Sequence, residues 1–160
     1  MIDIAQRAGL TKSTFFRHFQ DKREVLFGDG TMTGLVAGAI AAAPATATPL
    51  EAVACAMEAI QAGTTAPDHR EYTARRRAVI AANPELQERE ALKALALTES
   101  MASALSRRGV PPLTAAVAAD LAALAWKIAE ARWSEPTNHD SFGAVARQAL
   151  REVQAASTLC

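Results

Sequence analysis

The sequence has little cysteine, no long apolar run and no excess of charge. Its two cysteines, Cys55 and Cys160, are too few and too far apart for a disulfide scaffold, so we expect a reduced, cytoplasmic protein. We find no eighteen consecutive apolar residues and no charged-then-apolar leader, so we expect neither a membrane span nor secretion. The formal net charge is zero, which argues against a globally basic surface.

The usual signatures of catalysis and metal binding are also missing. The glycines between Gly28 and Gly38 are not followed by the Lys-Ser/Thr pair of a phosphate loop, and no serine lies in a nucleophile elbow. Asp120 and Glu130 have opposite charges nearby, so we expect them to form salt bridges. The three histidines are scattered, without metal-ligand spacing: His18, His69 and His139. We therefore expect no enzyme, no metal and no cofactor.

Alanine and leucine dominate what is present. Half of the 160 residues are apolar and only 5% are aromatic. Alanine-rich periodic sequence favours helix, and no segment alternates as a strand does, so the predicted fold class is all-α. A chain of this length suits one or two modest domains.

Residues Asp3–Leu26 predict a helix-turn-helix. An apolar helical run ends at Gly9, where a glycine permits a sharp turn, and Thr11 is a good N-cap for the next helix. Phe15 and Phe19 are four apart and face inward together. The outer surface of this second helix then carries hydroxyls and cations suited to phosphates and base edges. Residues 1–27 also hold five Lys/Arg against three Asp/Glu, a mild local positive charge.

The stretch GLTKSTFFRHFQDKREVL, residues 9–26, resembles the TetR-type repressor family. The resemblance implies an all-helical homodimer whose N-terminal domain binds operator DNA and whose C-terminal domain holds an inducer. It places Lys12, Ser13, Phe16 and Arg17 near base edges. It places a further set near phosphates: Thr11, Thr14, His18 and Lys22. Phe16 replaces the family's usual tyrosine, so one hydroxyl contact to phosphate is lost.

The family's first helix would precede Asp3 and is not in this sequence. Two short helices do not bury Ile4, Leu10, Phe15 and Phe19 alone, so we expect a repacked or poorly ordered first segment if the chain begins at Met1. A misassigned start codon and a loss of DNA binding are both open explanations. The alternative function is therefore a DNA-incompetent dimeric protein that binds a small molecule.

Proline and glycine divide the rest of the chain into helices. We predict a reader with its connecting helix over residues 1–42, and a ligand-binding and dimerisation domain over residues 43–160. The glycines of the connecting helix indicate either a hinge or mere compositional drift. The predicted helices run over about 22–42, 49–62, 69–82, 84–108, 112–134 and 139–156.

The last two predicted helices look like a dimer module. Apolar residues recur at helical spacing along the predicted helix over 112–134 and form one stripe: Leu113, Val117, Leu121, Leu124 and Ile128. Its small residues suit close approach of a second subunit: Ala118, Ala122, Ala125 and Ala129. We therefore predict a homodimer through the last two helices, and the family resemblance implies the same interface. The alternative is that both apolar sides of these helices face the core of a single protomer.

The stretch RRRAVIAANPELQERE, residues 75–90, with RRGV and AARW further on, resembles a C-terminal subclass of the family, the mycofactocin-regulator-like, acyl-CoA-type ligand domain. It implies an amphiphilic inducer. Candidates for the wall around its acyl tail, each otherwise plain core, are Met57, Ile60, Leu97, Met101, Leu105 and Trp126. Among Arg75–Arg77, Arg76 is the candidate for an acidic head group, and Tyr72 and His69 are hydrogen-bonding candidates.

Overall fold

The computed structural model describes residues 31–62 and 69–157, which form six α-helices and no β-strand within those ranges. The all-α fold class is thereby confirmed. The helices are α1 (Thr31–Ala42), α2 (Pro49–Ala62), α3 (His69–Ala81), α4 (Pro84–Arg107), α5 (Pro112–Trp133) and α6 (Phe142–Ser157). The chain divides into two units, Met1–Thr31 and Met32–Cys160, and apart from Thr31 the described helices belong to the second.

Local chemistry explains where the helices begin. At α2 the Thr48 N–H and hydroxyl donate to the Glu51 carboxylate at 2.8 and 2.9 Å, while the Glu51 N–H donates to the Thr48 hydroxyl at 3.3 Å. This reciprocal capping box satisfies backbone donors that the first turn leaves unpaired. Prolines open α2, α4 and α5 at positions where a missing N–H costs nothing. Gly109, with a φ of 87°, makes the turn between α4 and α5.

The start of α6 differs from the prediction, which placed it at His139 instead of Phe142. Arg70 donates to the backbone carbonyls of Asn138 and Asp140, so these carbonyls accept a side-chain donor instead of the N–H groups of a helix. The Asp140 N–H turns back to the Asn138 side chain at 2.9 Å. The helix begins only after Ser141, whose hydroxyl accepts the N–H of Ala144 at 3.3 Å.

Helix α5 lies in the middle of the bundle and packs against α2, α4 and α6. By length and composition alone it is apolar enough to cross a membrane, as the core helix of a bundle often is. Its alanines face inward, each at most 4% exposed: Ala115, Ala118, Ala119, Ala122, Ala125 and Ala129. The expectation that alanines on this helix receive a second subunit is corrected, because they already pack against the protomer's own helices.

The opposite side of α5 carries the larger apolar side chains. Leu113 is 77% exposed, and Val117 and Leu124 are each 49% exposed. The final helix α6 differs, because its apolar residues Val145, Leu150 and Val153 are all buried within the protomer. Of the two helices predicted to form the dimer, only α5 therefore keeps an apolar stripe on its outer surface.

Candidate functional site: an apolar cavity beside a buried carboxylate

Four helices enclose an apolar cavity of about 70 Å³. A single water needs about 10–15 Å³ of such space, so the cavity accommodates a short hydrocarbon group rather than one solvent molecule. Its wall is built from α1, α2, α4 and α5, and it consists of Val36, Val53, Ala56, Met57, Ile60, Ala94, Leu97, Met101, Ala122, Ala123 and Trp126. Small alanines on α5 and α2 leave the space that larger side chains at those positions would fill.

The structure brings together five of the eight residues that the sequence nominated for ligand binding. Met57, Ile60, Leu97, Met101 and Trp126 all line the cavity. They come from three helices, and their side chains converge because each stands on the inward face of its helix.

The other three nominated residues do not line this wall. Leu105 is fully buried in the core one turn beyond Met101. Tyr72 is 45% exposed, and its ring centroid is 6.0 Å from that of His69. Arg76 donates to the Glu90 carboxylate at 2.6 Å, which joins α3 to α4.

Some wall residues were not nominated from the sequence. Val36 on α1 is the most informative, because α1 has so weak an apolar pattern, interrupted by Gly34 and Gly38. The sequence does contain one sign that α1 has an inward face, because Val36 and Ile40 are apolar and four residues apart. Both side chains are buried in the structure. The alanines were missed because a cavity forms where side chains are small, which no apolar pattern records.

A carboxylate is bonded to one residue of the cavity wall. Glu130 follows Trp126 by one helical turn, and the indole N–H of Trp126 donates a hydrogen bond to it. Burial raises the pKa of Glu130, with Glu90 acting in the same direction. The Trp126 hydrogen bond and the charges of Arg76 and Arg77 act to lower the pKa, but burial outweighs them.

An aromatic row runs from the cavity wall to α3. The Trp126 ring meets Phe142 edge-on at 4.9 Å between centroids, and Phe142 meets Trp133 at 5.5 Å. Trp133 lies 5.9 Å from His69, and burial lowers the pKa of that imidazole. The guanidinium of Arg70 sits 5.1 Å from the centroid of Trp133. We call Trp126, Phe142, Trp133, His69 and Tyr72 the aromatic row.

Helix α1 is fastened to the body at its C-terminal end. The Arg108 guanidinium donates to four backbone carbonyls at the end of α1 and in the turn beyond it: those of Ile40 at 3.0 Å, Ala41 at 3.3 Å, Ala43 at 2.8 Å and Pro44 at 2.6 Å. The same helix presents Val36 to the cavity one turn earlier. Near its N-terminal end, α1 also accepts a hydrogen bond of 3.4 Å from the Ser100 hydroxyl to the carbonyl of Thr33.

No group of three or more His, Cys, Asp or Glu side chains gathers as a metal site within the described residues. The nominated DNA-contacting residues lie outside the described ranges: Thr11, Lys12, Ser13, Thr14, Phe16, Arg17, His18 and Lys22. Residues 1–27, which include all eight, match the family described as "Bacterial regulatory proteins, tetR family", through the model of its N-terminal part. Comparison with curated proteins finds no match to this chain.

Proposed function

We propose that the chain is a TetR-type transcriptional regulator that binds operator DNA as a homodimer and is released by a small molecule held in the apolar cavity. The observation that carries the proposal is the family match over residues 1–27, which spans the predicted helix-turn-helix. The all-helical body and its cavity are consistent with a ligand-sensing domain attached to a DNA reader.

The roles proposed for the reader follow from side-chain chemistry. Lys12 and Arg17 are long enough to reach base edges in a major groove, and Ser13 and Phe16 lie on the same predicted face. Thr11, Thr14, His18 and Lys22 would position the helix by contacting phosphates. The family resemblance implies that set, and its members are of residue types that bind phosphate oxygens.

The outer stripe of α5 supports the proposed homodimer. Leu113, Val117 and Leu124 are at least 49% exposed, and burying each apolar side chain stabilises an interface by about 1.5–3 kcal/mol. A two-fold dimer presents two readers, which fit half-sites about 34–36 Å apart on one face of DNA. The helix α5 therefore serves as the proposed interface.

The cavity supports the proposed ligand response because α1 forms part of its wall. Residue Val36 belongs to the helix that follows the reader in sequence, and Arg108 fixes the far end of that helix. A ligand that binds one position of α1 better than another shifts the population of that position. An apolar tail suits the wall, as the resemblance to the acyl-CoA-type subclass implies. An acidic head group held by Arg76 is less well supported, because Arg76 is bonded to Glu90.

A band-shift titration with the DNA upstream of the protein's own gene tests the proposal. We expect a retarded band whose affinity falls between 50 and 200 mM salt, since phosphate contacts release counterions. Arg17→Ala should weaken the band at least tenfold, while Arg151→Ala, an exposed arginine on α6, should not. No retarded band at micromolar protein would overturn DNA binding and support the DNA-incompetent small-molecule-binding protein instead.

A further inference from the structure

One flank of the apolar stripe on α5 carries two opposite charges. Asp120 and Lys127 are both exposed and stand seven residues apart. Seven residues make almost two turns of an α-helix, so the two side chains leave α5 within about 20° of the same direction. Their separation along the helix is about 10.5 Å, well beyond the three or four residues at which side chains of one helix pair.

The two charges have no ionic partner within their own protomer. Among the described residues, neither Asp120 nor Lys127 takes part in an ion pair, so the salt bridge predicted for Asp120 is not formed there. The other flank of the stripe differs, because its Arg132 is bonded to Glu152 of α6 at 2.7 Å. The flank of Asp120 and Lys127 therefore offers an anion and a cation to a partner outside the protomer.

The symmetry of a dimer decides which flanks of α5 meet. When a two-fold axis crosses two identical helices at right angles, the helices are antiparallel and the same flank of each faces the other. A residue before the crossing point then lies opposite the residue that follows this point by an equal distance. In a parallel pair the two Asp120 side chains would stand at one height with Lys127 two turns away, so the opposite charges would not meet.

The apolar stripe gives one position for the crossing point. Leu121 lies opposite Leu124 of the partner subunit when the axis passes between residues 122 and 123. The same axis brings Val117 opposite Ile128 of the partner subunit. Val117 and Leu124 are each 49% exposed, and Leu121 and Ile128 are partly buried at the edge of the protomer's core. An antiparallel pair thus covers the stripe with its own copy.

The charges give a second and independent position. Asp120 lies opposite Lys127 of the partner subunit when the axis passes between residues 123 and 124. This point is one residue, or about 1.5 Å, from the one that the apolar side chains require. The flexible four-carbon stem of a lysine accommodates such an offset. One antiparallel arrangement therefore satisfies the apolar stripe and both charges together.

We propose that α5 pairs in antiparallel orientation with α5 of a second copy, with Asp120 of each subunit bonded to Lys127 of the partner subunit. This inference rests on the proposed homodimer and specifies its geometry. Each dimer gains two equivalent ion pairs beside the apolar contact. Charges at the rim of an interface fix its register and exclude wrong arrangements more than they add affinity, so this pair sets the direction in which two copies pack.

Charge reversal in the full-length chain tests the pairing by sedimentation equilibrium. Asp120→Lys and Lys127→Asp should each raise the dimer dissociation constant about tenfold, because each replaces two attractions by two repulsions. The variant with both reversals restores both pairs with their signs exchanged, and its constant should return to within about threefold of the unaltered value. The matched control is Glu58→Lys, which reverses a half-exposed charge paired with Arg147 of the same protomer at 2.8 Å and should leave the constant unchanged.

A mixture of the two single variants gives a second reading. In their mixed dimer one subunit contributes two cations to the facing flanks and the other contributes two anions, so both pairs form again. We expect the mixed dimer to exceed either parent dimer when the variants are combined in equal amounts, as measured by native mass spectrometry. Added salt should reduce this preference, because charges at an exposed rim are screened.

The outcomes separate this inference from the function on which it rests. A dimer that neither reversal weakens overturns the α5 pairing and leaves the homodimer standing. A double reversal that is weaker than both single reversals also overturns the pairing, because the two charges then act separately. A monomeric unaltered protein overturns the proposed homodimer, and this inference with it. Unchanged helical circular dichroism and melting temperature show that the variants fold.

Discussion

The guanidinium of Arg108 donates a hydrogen bond of 3.0 Å to the carbonyl oxygen of Ile40, a residue 68 positions earlier in the chain. It is one of four such bonds to the end of α1 and the turn beyond it. A helix whose pattern is interrupted by glycine thus gains an external cap from the α4–α5 turn.

Removing this cap should destabilise the body. We expect Arg108→Ala to lower the free energy of unfolding by about 1.5–3 kcal/mol, because carbonyls served by a charged donor lose their partner. Arg108→Lys should recover only part of the loss, since an ammonium lacks the planar fork that reaches several carbonyls. Urea denaturation measures both variants. The neighbouring Arg107, which donates to the Ser103 hydroxyl of its own helix at 2.8 Å, is the control, and an equal loss in Arg107→Ala would contradict the assignment.

Closing the cavity at its rim should abolish probe binding without disturbing the fold. Ala94 is exposed yet lines the cavity, so Ala94→Leu introduces three carbons into the space with little strain in the core. We expect hexanol binding, measured by calorimetry, to fall at least tenfold. Ala96→Leu is the matched control, because Ala96 is exposed on the same helix and does not line the cavity. Similar binding in both variants would place the probe elsewhere.

Charging the outer stripe of α5 should disrupt the proposed homodimer. Leu124→Lys places a charge where an apolar side chain that is 49% exposed would meet its partner. We expect the dimer dissociation constant, measured by sedimentation equilibrium, to rise at least tenfold. Leu92→Lys on α4 changes a leucine that is 61% exposed and lies away from the stripe, and it should leave the constant unchanged. A monomeric unaltered protein, or a dimer sensitive only to Leu92→Lys, would refute the α5 interface.

Loss of the capping box should weaken α2. Thr48→Ala removes a hydroxyl that donates to the Glu51 carboxylate and accepts from the Glu51 N–H. Losing an N-cap threonine lowers the free energy of unfolding by about 0.5–2 kcal/mol. Thr46→Ala, in the same exposed loop, is the control for the loss of a threonine. Thermal unfolding compares the two variants, and the prediction fails if they melt together.

The pH dependence of that variant follows from the sign of the shift at Glu51. Hydrogen bonds from the backbone and side chain of Thr48 lower the pKa of the Glu51 carboxyl below its unfolded value. The stabilisation is therefore complete above the unfolded pKa and is lost as the pH falls through the folded pKa. The difference in melting temperature between the unaltered protein and Thr48→Ala should shrink on acidification from pH 7 to pH 3. A difference that grows instead would reverse the assigned sign.

Helix boundaries were predictable where the chain itself marks them. Pro49, Pro84 and Pro112 open helices in the structure as the sequence indicated, because proline is tolerated only in the first turn. The start of α6 was wrong by three residues because its cause, Arg70, lies far away in sequence and takes the carbonyls of Asn138 and Asp140. A bond formed between distant elements leaves no mark on local periodicity.

The orientation of α5 was not predictable from its composition. Leucine and alanine stripes lie on different sides of the helix, and the sequence does not determine which of them faces the core. The structure buries Ala122 and exposes Leu124, because three helices pack closely around α5 and only small side chains permit that approach. The four-residue spacing of Trp126 and Glu130 was visible in the sequence. Its meaning depended on Glu130 being buried, which only the packing of α3 and α4 decides.

The aromatic row has an optical consequence. All four Phe, Trp and Tyr side chains of the described ranges belong to it. The two tryptophans lie at separate places along the row. Trp126 lines the cavity, whereas Trp133 has a buried indole N–H without a hydrogen-bond partner among the described residues. In a Trp133→Phe variant the fluorescence of the protein would come from the cavity wall alone. Emission wavelength and quenching by iodide would then respond to what surrounds the indole of Trp126, so this molecule carries its own reporter of cavity filling.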